Sequence, residues 1–497
     1  MKKTSIVVLV VLMLSMVLAA CKPTPTPTPT PSPVPPPEVE EEVEEPEGVV
    51  CPEDVTECPD GSFVARNPDN NCEFDPCPPI VGPFGVTLED LQGVEVEFWH
   101  VWHGGVGDAL LALIDEFNAT NEYGITVVGY DQGGYGEMFT NMNAAINTGE
   151  LPDLVVGYNN QFASWHMAGE VMVDLNDYVN DPYFGYTEEE IADFYPQFWS
   201  QDFIDGMRSG IPVQRSLQFM FYNSTWAQEL GFDSWPMTPE EFKEQACASS
   251  AANNADDNPD NDGTGGWFIN PDASTIASWV WAFGGEIADQ DGYTFNTPEA
   301  IEALTFLKSL YDEGCAWSPE SSYPNAEFAT RQGLFYTSSI AGLPYQVGAF
   351  ADAGNPDEWT VIPFPSVTGE PVMNVYGPSY ALVTSTPAEQ LGAFLFIKWF
   401  TMPENLARWI EASAYYPTRA SALDFLGEYI SANPQWAASR ELIKYGKSEP
   451  RWPSWSSVRY TARDMFALIF QPDFMADQIP GLLSDLDVEA AAMRAED

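Results

Sequence analysis

Short apolar strands and amphipathic helices alternate from Val94 onward, and this alternation constrains the fold more than any other feature of the chain. The stretch VEVEFWHVW alternates polar and apolar residues as a strand does, and GDALLALIDEFNATN then carries its Leu, Ile and Phe residues on one helical stripe. A strand GITVVGYD, a helix GEMFTNMNAAINTG and a strand PDLVVGY follow. The order strand, helix, strand, helix, strand predicts an α/β fold with a mainly parallel sheet.

The segments HVWHGG, YDQGGYGE and GYNNQFASW follow the three predicted strands. Sheets of this kind bind ligands beyond the carboxyl ends of their strands. Glycines, amides and aromatic rings predominate in these segments, and such groups suit sugar rings and their hydroxyls. The sequence therefore predicts a ligand site at this edge, with hardly any catalytic groups.

The charge of the chain limits its partners. It has 74 acidic and 19 basic residues, a formal net charge of −55. Such a charge repels phosphate backbones and anionic lipid head groups, so we expect no nucleic-acid partner. Hydrophobic residues make up 45% of the chain, which is ample for the cores of two lobes or domains.

The N-terminus has the layout of a secretory signal. Lys2 and Lys3 precede an apolar run, and the small residues Ala19 and Ala20 precede Cys21. The segment LAAC resembles the lipobox of bacterial lipoproteins, which implies a signal peptide at 1–20 and lipid attachment at Cys21. The alternative is an ordinary secreted protein. Prolines and then glutamates dominate 21–50, which we interpret as a lipid-anchored stalk without a fold of its own.

A small cysteine-rich module is predicted at 51–79. Its four cysteines lie in a segment too poor in aliphatic residues to bury much core, so disulfides are expected to hold it together. Three pairings are possible, and a zinc site is the competing interpretation. Cys247 and Cys315 are candidates for a third bridge, which their spacing leaves open.

Residues 94 to about 475 carry a family resemblance. The run FWHVW, then LIDEFNATN, QGGYGE, PDLVVGYNNQ, FMFYNSTWAQELGF, NVYGPSYALV and AFLFIKWFTMPENLARWIEASAYYPTR resemble the family 1 extracellular solute-binding proteins of ABC importers. Within that family the chain is similar to the carbohydrate and glycerol-phosphate binders. The resemblance implies a periplasmic-binding-protein-like fold, in which two α/β lobes joined by a hinge enclose a ligand cleft.

The resemblance also implies a function. The chain would be an extracytoplasmic substrate-binding lipoprotein, a monomer without cofactor or catalytic activity on the outer face of a bacterial cell membrane. It would capture a sugar, a sugar derivative or a glycerol-phosphate-like ligand by lobe closure. It would deliver this ligand to permease subunits that work with a cytoplasmic ATPase. The alternatives are a secreted carbohydrate-active enzyme, which would consume its ligand, and a carbohydrate adhesin, which would bind immobilised polymer.

Domain limits also follow from the resemblance, within a two-lobe domain at 81–497. The chain of such proteins crosses between lobes three times, and we place the crossings near Ile211-Pro212, Ser338-Ser339 and Tyr376-Gly377. The first lobe is then expected at about 94–211 and 339–376, and the second at 212–338 and 377–497.

Ligand contacts are implied by matching the motifs of the glycerol-phosphate binders. The positions are Tyr135, Asn159, Arg215, Ser216, Ser339, Ser379, Tyr415 and Arg459. An acidic residue is expected near Asn159 in that subgroup, and here an amide stands instead. This difference favours a neutral or different sugar over glycerol phosphate.

No metal site is predicted. His100 and His103 follow a strand and lack the glutamate of a zinc-protease helix. Asn258, Asp260 and Asp262 match the opening of a calcium loop, but Ile269 stands where the bidentate glutamate is required. We interpret this loop as a solvated turn.

Overall fold

The computed structural model describes residues 49–58, 61–204 and 206–497. The predicted signal peptide, Cys21 and nearly all of the stalk lie outside the described residues. Within them, no helix is both long and apolar enough to cross a membrane.

The strands are short, and most of them belong to one of two large sheets. They are β1 Val55–Glu57, β2 Phe63–Asn67, β3 Glu73–Phe74, β4 Glu95–His100, β5 Thr126–Asp131, β6 Leu154–Gly157, β7 Phe203–Ile204, β8 Met207–Arg208, β9 Ile211–Pro212, β10 Ser216–Asn223, β11 Trp267–Phe268, β12 Ala316–Trp317, β13 Phe335–Ser339, β14 Trp359–Ile362, β15 Met373–Tyr376, β16 Ser379–Leu382 and β17 Gly446–Ser448.

Helices cover the faces of these sheets. They are α1 Gly104–Thr120, α2 Tyr135–Thr148, α3 Asn159–Gly169, α4 Asn176–Val179, α5 Glu188–Asp193, α6 Pro196–Trp199, α7 Ser224–Glu229, α8 Pro239–Ala255, α9 Ala273–Ala282, α10 Pro298–Asp312, α11 Asn325–Ala329, α12 Leu343–Ala353, α13 Pro387–Phe400, α14 Pro403–Ser413, α15 Gly427–Ala432, α16 Pro434–Arg440, α17 Trp455–Ile469 and α18 Ile479–Arg494.

Three of the long helices begin with the same sequence device. Thr238, Thr297 and Thr386 each occupy the N-cap position, and a proline follows at the first helical position. In each case the threonine side chain accepts a hydrogen bond from a backbone N–H of the first turn, which has no partner within the helix. Proline has no N–H to satisfy there, so these Thr-Pro pairs fix where α8, α10 and α13 begin.

The first sheet has the order β5-β4-β6-β16-β9 and forms the first lobe. Strands β4, β5 and β6 are parallel, as the alternating pattern predicts, whereas β16 runs antiparallel to both of its neighbours, β6 and β9. Helix α13 packs on β4 and β16, and α14 packs against α1. The α/β fold is therefore confirmed for this lobe.

The second sheet has the order β12-β11-β13-β10-β15-β17, and β14 also pairs with β10. Its central strand β10 is buried along its whole length. Leu217, Phe219 and Phe221 lie in one hydrophobic core, while Met220 and Tyr222 lie in the other. Because side chains alternate along a strand, β10 contributes to the cores on both faces of the second sheet.

The predicted division between the lobes is wrong for 339–376. Strands β13, β14 and β15 all pair with β10, so this segment belongs to the second lobe. Strand β16 belongs to the first sheet, so part of 377–497 belongs to the first lobe. The crossings near Ile211-Pro212 and Tyr376-Gly377 agree with the strand pairing. The third crossing lies between α14 and β17, because β17 pairs with β15. Local pattern identifies a strand but does not identify its partner, which explains the error.

Two compact units are distinguished in the chain. One comprises residues 49–57 of the described chain together with Phe63–Pro76, and the other comprises Cys58–Ser62 and Cys77–Asp497. Of the three possible pairings in the module, the structure has Cys51–Cys72 and Cys58–Cys77. The third bridge, Cys247–Cys315, ties α8 to the start of β12 within the second lobe.

We expect removal of the Cys247–Cys315 bridge, by Cys247→Ser with Cys315→Ser, to lower the free energy of unfolding by about 4 kcal/mol. The bridge closes a loop with a sequence separation of 68, so its loss enlarges the unfolded ensemble. Thermal unfolding of the 49–497 chain measures the effect. Cys51→Ser with Cys72→Ser is the matched control, and it should leave the main transition unchanged. An equal shift in both variants would contradict this assignment.

Candidate functional site

A cavity lies between the two lobes, beyond the carboxyl end of β6. Its free space is about 60 Å³, far below the roughly 300–1,000 Å³ of typical ligand pockets, so a sugar-sized ligand fits only when the lobes stand further apart than in this arrangement. The lining residues are Tyr158, Asn159, Asn160, Gln201, Asp202, Val375, Tyr376, Gly377, Ser448, Glu449, Pro450, Arg451, Trp455 and Arg459.

Direct hydrogen bonds cross the cleft beside the cavity. Asn160 Nδ2 donates to Ser456 Oγ at 2.6 Å, and Ser164 Oγ donates to the Pro453 carbonyl at 3.3 Å. Gln201 Nε2 donates to Ser448 Oγ at 2.7 Å. These contacts hold the first-lobe helix α3 and the loop after α6 against the second lobe, so the described arrangement is a closed one.

The first-lobe wall is built where strands turn into helices. Asn159 opens α3 directly after β6; its Nδ2 donates to Ser209 Oγ at 3.2 Å, and its buried Oδ1 has no partner among the described residues. Tyr135 opens α2, and its ring meets the Tyr158 ring edge-on with centroids 4.8 Å apart. The buried Tyr135 hydroxyl also lacks a partner in the described part of the chain. Burial raises the pKa of Tyr135 well above its usual value, so this hydroxyl stays neutral and able to donate or accept.

The second-lobe wall centres on Arg459 of α17. Its Nη2 donates to Ser274 Oγ at 2.8 Å and lies 3.5 Å from Asp272, while Nη1 lies 3.7 Å from Glu449. Burial opposes the charged form, but the Glu449 and Asp272 carboxylates outweigh it and raise the pKa of Arg459. About a third of the side chain remains exposed, toward a cavity that Arg459 lines. The guanidinium is thus permanently charged and held in place.

Glu449 orients this wall, and no motif in the sequence marks it. It lies in the loop between β17 and α17, where no spacing or periodicity marks it. Its carboxylate accepts from Asn374 Nδ2 at 2.7 Å, Trp455 Nε1 at 2.7 Å and the Ser274 hydroxyl. Burial alone would raise the pKa of Glu449, but the charge of Arg459 and these hydrogen bonds lower it. Glu449 therefore stays ionised and fixes both Arg459 and Trp455.

Arg215 was expected to contact the ligand, and its hydrogen bonds contradict that expectation. Its guanidinium donates to Gln201 Oε1, the Gln214 and Pro378 carbonyls, Asp202 Oδ2 and Ser379 Oγ, at 2.7 to 3.1 Å. These bonds use every guanidinium N–H, so none remains for a ligand. Ser379, also an expected contact, instead donates to Asp202 Oδ2 at 2.8 Å. Both side chains hold the hinge.

The hinge is compact because of this clamp. Arg215 belongs to the crossing between β9 and β10, whereas Pro378 and Ser379 belong to the crossing between β15 and β16. Gly377 has φ of 157°, and a Cβ there would stand 2.9 Å from Arg215 Cα, so only glycine lets the two crossings approach so closely. Asp202, which lines the cavity, is held by the same clamp.

The other expected contacts lie close to the cavity. Ser216 is opposite Tyr376 in the strand register, and its buried hydroxyl has no partner among the described residues. Ser339 is close enough to Tyr376 to oppose the burial that raises the pKa of the Tyr376 hydroxyl. Tyr415 follows α14, and burial raises its pKa, with the neighbouring Tyr158 adding to the shift. Asn159 and Arg459 line the cavity itself; Tyr135, Ser216, Ser339 and Tyr415 surround it.

Several lining residues were not predicted, although neighbouring motifs contain some of them. Tyr158 precedes Asn159 in VVGYNN, Tyr376 lies in VYGPSY and Trp455 opens WSSVRY. Asp202 and Arg451 had no such signal. In the described ranges one group of three metal-ligating side chains comes within reach of a single ion, Cys247, Glu313 and Cys315. Two of these are joined in a disulfide, so this group does not fit a metal.

We expect Arg215→Met to destabilise the protein by about 3–5 kcal/mol, because it leaves the buried Asp202 carboxylate without its charged partner. Adding Asp202→Leu should recover most of this loss, since the unpaired charge is then removed as well. Urea unfolding of both variants measures the stability lost with Arg215 and the stability recovered when Asp202 is also replaced. If the double variant were less stable than Arg215→Met, the clamp would not work through this ion pair.

Comparison with known proteins supports the same fold. The cyclic α-maltosyl-1,6-maltose binding protein of Arthrobacter globiformis superposes with a TM-score of 0.68 at 23% identity, over 81% of this chain and 100% of that one. The sugar-binding protein MalE of Xanthomonas citri gives a TM-score of 0.69 at 18% identity, over 81% and 98%. UgpB of Mycobacterium tuberculosis, in complex with glycerophosphocholine, gives 0.66 at 20% identity, over 80% and 98%. The periplasmic-binding-protein-like architecture is confirmed.

Sequence comparison gives the family. Binding proteins of Brucella abortus are 30% identical over 166 residues, which span 33% of this chain and 38% of theirs. The sn-glycerol-3-phosphate-binding periplasmic protein UgpB of Escherichia coli is 22% identical over 365 residues, 70% of this chain and 80% of that protein. The sequence profile described as bacterial extracellular solute-binding protein matches residues 112–439, more than half of the chain. The chain therefore belongs to the family of bacterial extracellular solute-binding proteins.

Proposed function

We propose that this protein is the substrate-binding component of an ABC importer, which captures a carbohydrate or a glycerol-phosphate-like ligand by lobe closure. The observation that carries the proposal is a cavity walled by both lobes and lined by Asn159 and Arg459, with unpartnered hydroxyls of Tyr135 and Ser216 beside residues that line it. Tyr135 and Asn159 belong to the first lobe, and Ser216 and Arg459 to the second or its hinge edge. A ligand that touches both walls stabilises the closed arrangement by the difference of its contacts in the two states.

The chemistry of the walls favours a ligand with several hydroxyl groups. The Asn159 Oδ1 atom is an acceptor, the Tyr135 and Ser216 hydroxyls are both donors and acceptors, and Arg459 is a donor. Sugar hydroxyls both donate and accept, so they can satisfy all four. The rings of Tyr158, Tyr376 and Trp455 add flat apolar surface.

A neutral sugar is favoured over glycerol phosphate. The amide at Asn159 stands where the glycerol-phosphate subgroup is expected to carry an acid. Arg459, the most favourable group for a phosphate, is already engaged by Glu449 and Asp272. Its remaining N–H groups suit vicinal hydroxyls.

Capture of a ligand outside the cell requires that the binding protein be localised there and that membrane proteins receive the ligand. We propose lipid attachment at Cys21, which holds the protein at the extracytoplasmic face of the cell membrane by its anchor. Membrane permease subunits with their cytoplasmic ATPase would receive the ligand, and the binding protein would act as a monomer. The lipobox resemblance and the family membership support these proposals.

Cys21→Ala should abolish incorporation of labelled fatty acid into the full-length protein, because the thiol is the proposed site of lipid attachment. Labelling of the expressed protein in a lipoprotein-processing bacterium measures this. Cys51→Ala, which removes a thiol expected in a disulfide, is the control and should remain labelled. Labelling that persists in Cys21→Ala would exclude the anchor.

Mass spectrometry of ligand released from the purified, unlipidated protein should identify a carbohydrate or its derivative. Titration of that ligand into Arg459→Ala should show about thirtyfold weaker binding, since about 2 kcal/mol of charge-assisted hydrogen bonding is lost. The ligand should also reduce the radius of gyration measured by small-angle scattering, because it bridges both lobes.

Arg463→Ala is the matched control for this titration. Arg463 lies one turn further along α17, is 46% exposed and pairs with its neighbour Asp464. The Arg463→Ala variant should bind the ligand with the affinity of the wild type. Equal affinities in Arg459→Ala and the wild type, or conversion of the ligand into a product, would refute the proposed function.

A further inference from the structure

A second groove lies in the first lobe, between β4 and α2, and shares no lining residue with the cleft cavity. Its volume is about 690 Å³, within the roughly 300–1,000 Å³ typical of small-ligand sites. The lining residues are Glu97, Trp99, Gln132, Asn141, Ala144, Ala145, Thr148, Glu150 and Leu151. We call it the Trp99 groove.

Trp99 lines this groove, and a second aromatic residue, Tyr130, lies next to it in the strand register. Trp99 and Glu97 point to the same face of β4, because side chains two residues apart do so along a strand. Tyr130 is the in-register neighbour of Trp99 on the parallel strand β5, which is the edge of the first sheet. Neighbouring strands lie about 4.8 Å apart, so Trp99 and Tyr130 are adjacent on one face. Tyr130 is 45% exposed and Trp99 is half-buried.

Hydrogen bonds hold the polar groups of the groove in place around the Trp99 ring. Trp99 Nε1 donates to Glu97 Oε1 at 2.6 Å, which fixes the indole ring. Asn141 Nδ2 donates to Gln132 Oε1 at 2.9 Å, which fixes both amides. Gln132 Nε2, Asn141 Oδ1 and Glu97 Oε2 then remain without a hydrogen-bond partner in the described chain. A fixed ring bordered by free donors and acceptors is the same chemistry that suits sugars in the cleft.

The charge of the groove selects among glycans. Glu97 and Glu150 line it, no lysine or arginine does, and neither carboxylate takes part in an ion pair within the described ranges. Carboxylate oxygens accept hydrogen bonds from hydroxyls, whereas they repel sulfated, phosphorylated or uronic-acid chains. We propose that the Trp99 groove is a second carbohydrate site, which binds a neutral glycan chain outside the cleft. This site does not depend on the ligand of the cleft.

Affinity electrophoresis of the 49–497 chain tests this proposal. Native gels cast with soluble amylopectin, mixed-linkage β-glucan, xylan or galactomannan should retard the wild type in at least one polymer. Trp99→Ala and Tyr130→Ala should each raise the dissociation constant for that polymer at least tenfold, as calculated from the retardation. Trp99→Phe should retain part of it, because the ring face remains although the bond to Glu97 is lost.

Matched variants separate this site from the cleft and from general surface effects. Tyr183→Ala, another first-lobe tyrosine with 42% exposure, should be retarded like the wild type, and so should the cleft variant Arg459→Ala. If Trp99→Ala does not fold, as judged by its thermal transition, the retardation of Tyr130→Ala tests the proposal instead. The proposal is overturned if no polymer retards the wild type, if Tyr130→Ala remains fully retarded, or if Arg459→Ala loses retardation.

Discussion

The buried ion pair between Arg215 and Asp202 is the interaction on which the two-lobe arrangement depends. Arg215 binds backbone and side-chain acceptors from two hinge crossings, and Asp202 accepts from both Arg215 and Ser379. A buried ion pair contributes little net stability compared with apolar residues of the same shape, but the loss of one partner is costly. The pair therefore fixes the geometry of the hinge more than it stabilises the fold. Because Asp202 also lines the cavity, the same contact couples the hinge to the ligand wall.

The two walls of the cleft are organised differently. In the second lobe, Glu449 collects hydrogen bonds from Ser274, Asn374 and Trp455 and holds Arg459 in place, all within that lobe. This wall is complete without the first lobe. In the first lobe, Tyr135 and Asn159 are placed by the first turns of α2 and α3 and have polar atoms without partners among the described residues. One wall is thus preformed, and the other needs an additional hydrogen-bonding partner.

Much of the fold follows from the sequence because periodicity is a local property. The strands and helices of 94–157 were predictable. The motifs that carry the family resemblance also placed Asn159 and Arg459 at the ligand cleft. The pairing of β13, β14 and β15 with β10 was not predictable, since it is decided by tertiary contacts between segments distant in sequence. Arg215 shows the same limit at a single residue: its motif suggested a ligand contact, whereas five acceptors folded around it give it a hinge role. Glu449 had no local signal at all.

The unpartnered atoms of the first-lobe wall have a consequence for the population of the closed form. A buried polar atom that lacks a hydrogen bond costs about 1–3 kcal/mol, and the Tyr135 hydroxyl and Asn159 Oδ1 are such atoms in this closed arrangement. Closure around a ligand that pairs with these atoms avoids that cost. Direct contacts across the cleft, such as Asn160 with Ser456, act in the opposite direction and stabilise the closed form in the absence of a ligand. The cavity of this closed arrangement is too small for a sugar, so a loaded protein must hold its lobes further apart than an empty closed one, and a receiver that recognises this lobe separation would distinguish the two without touching the ligand.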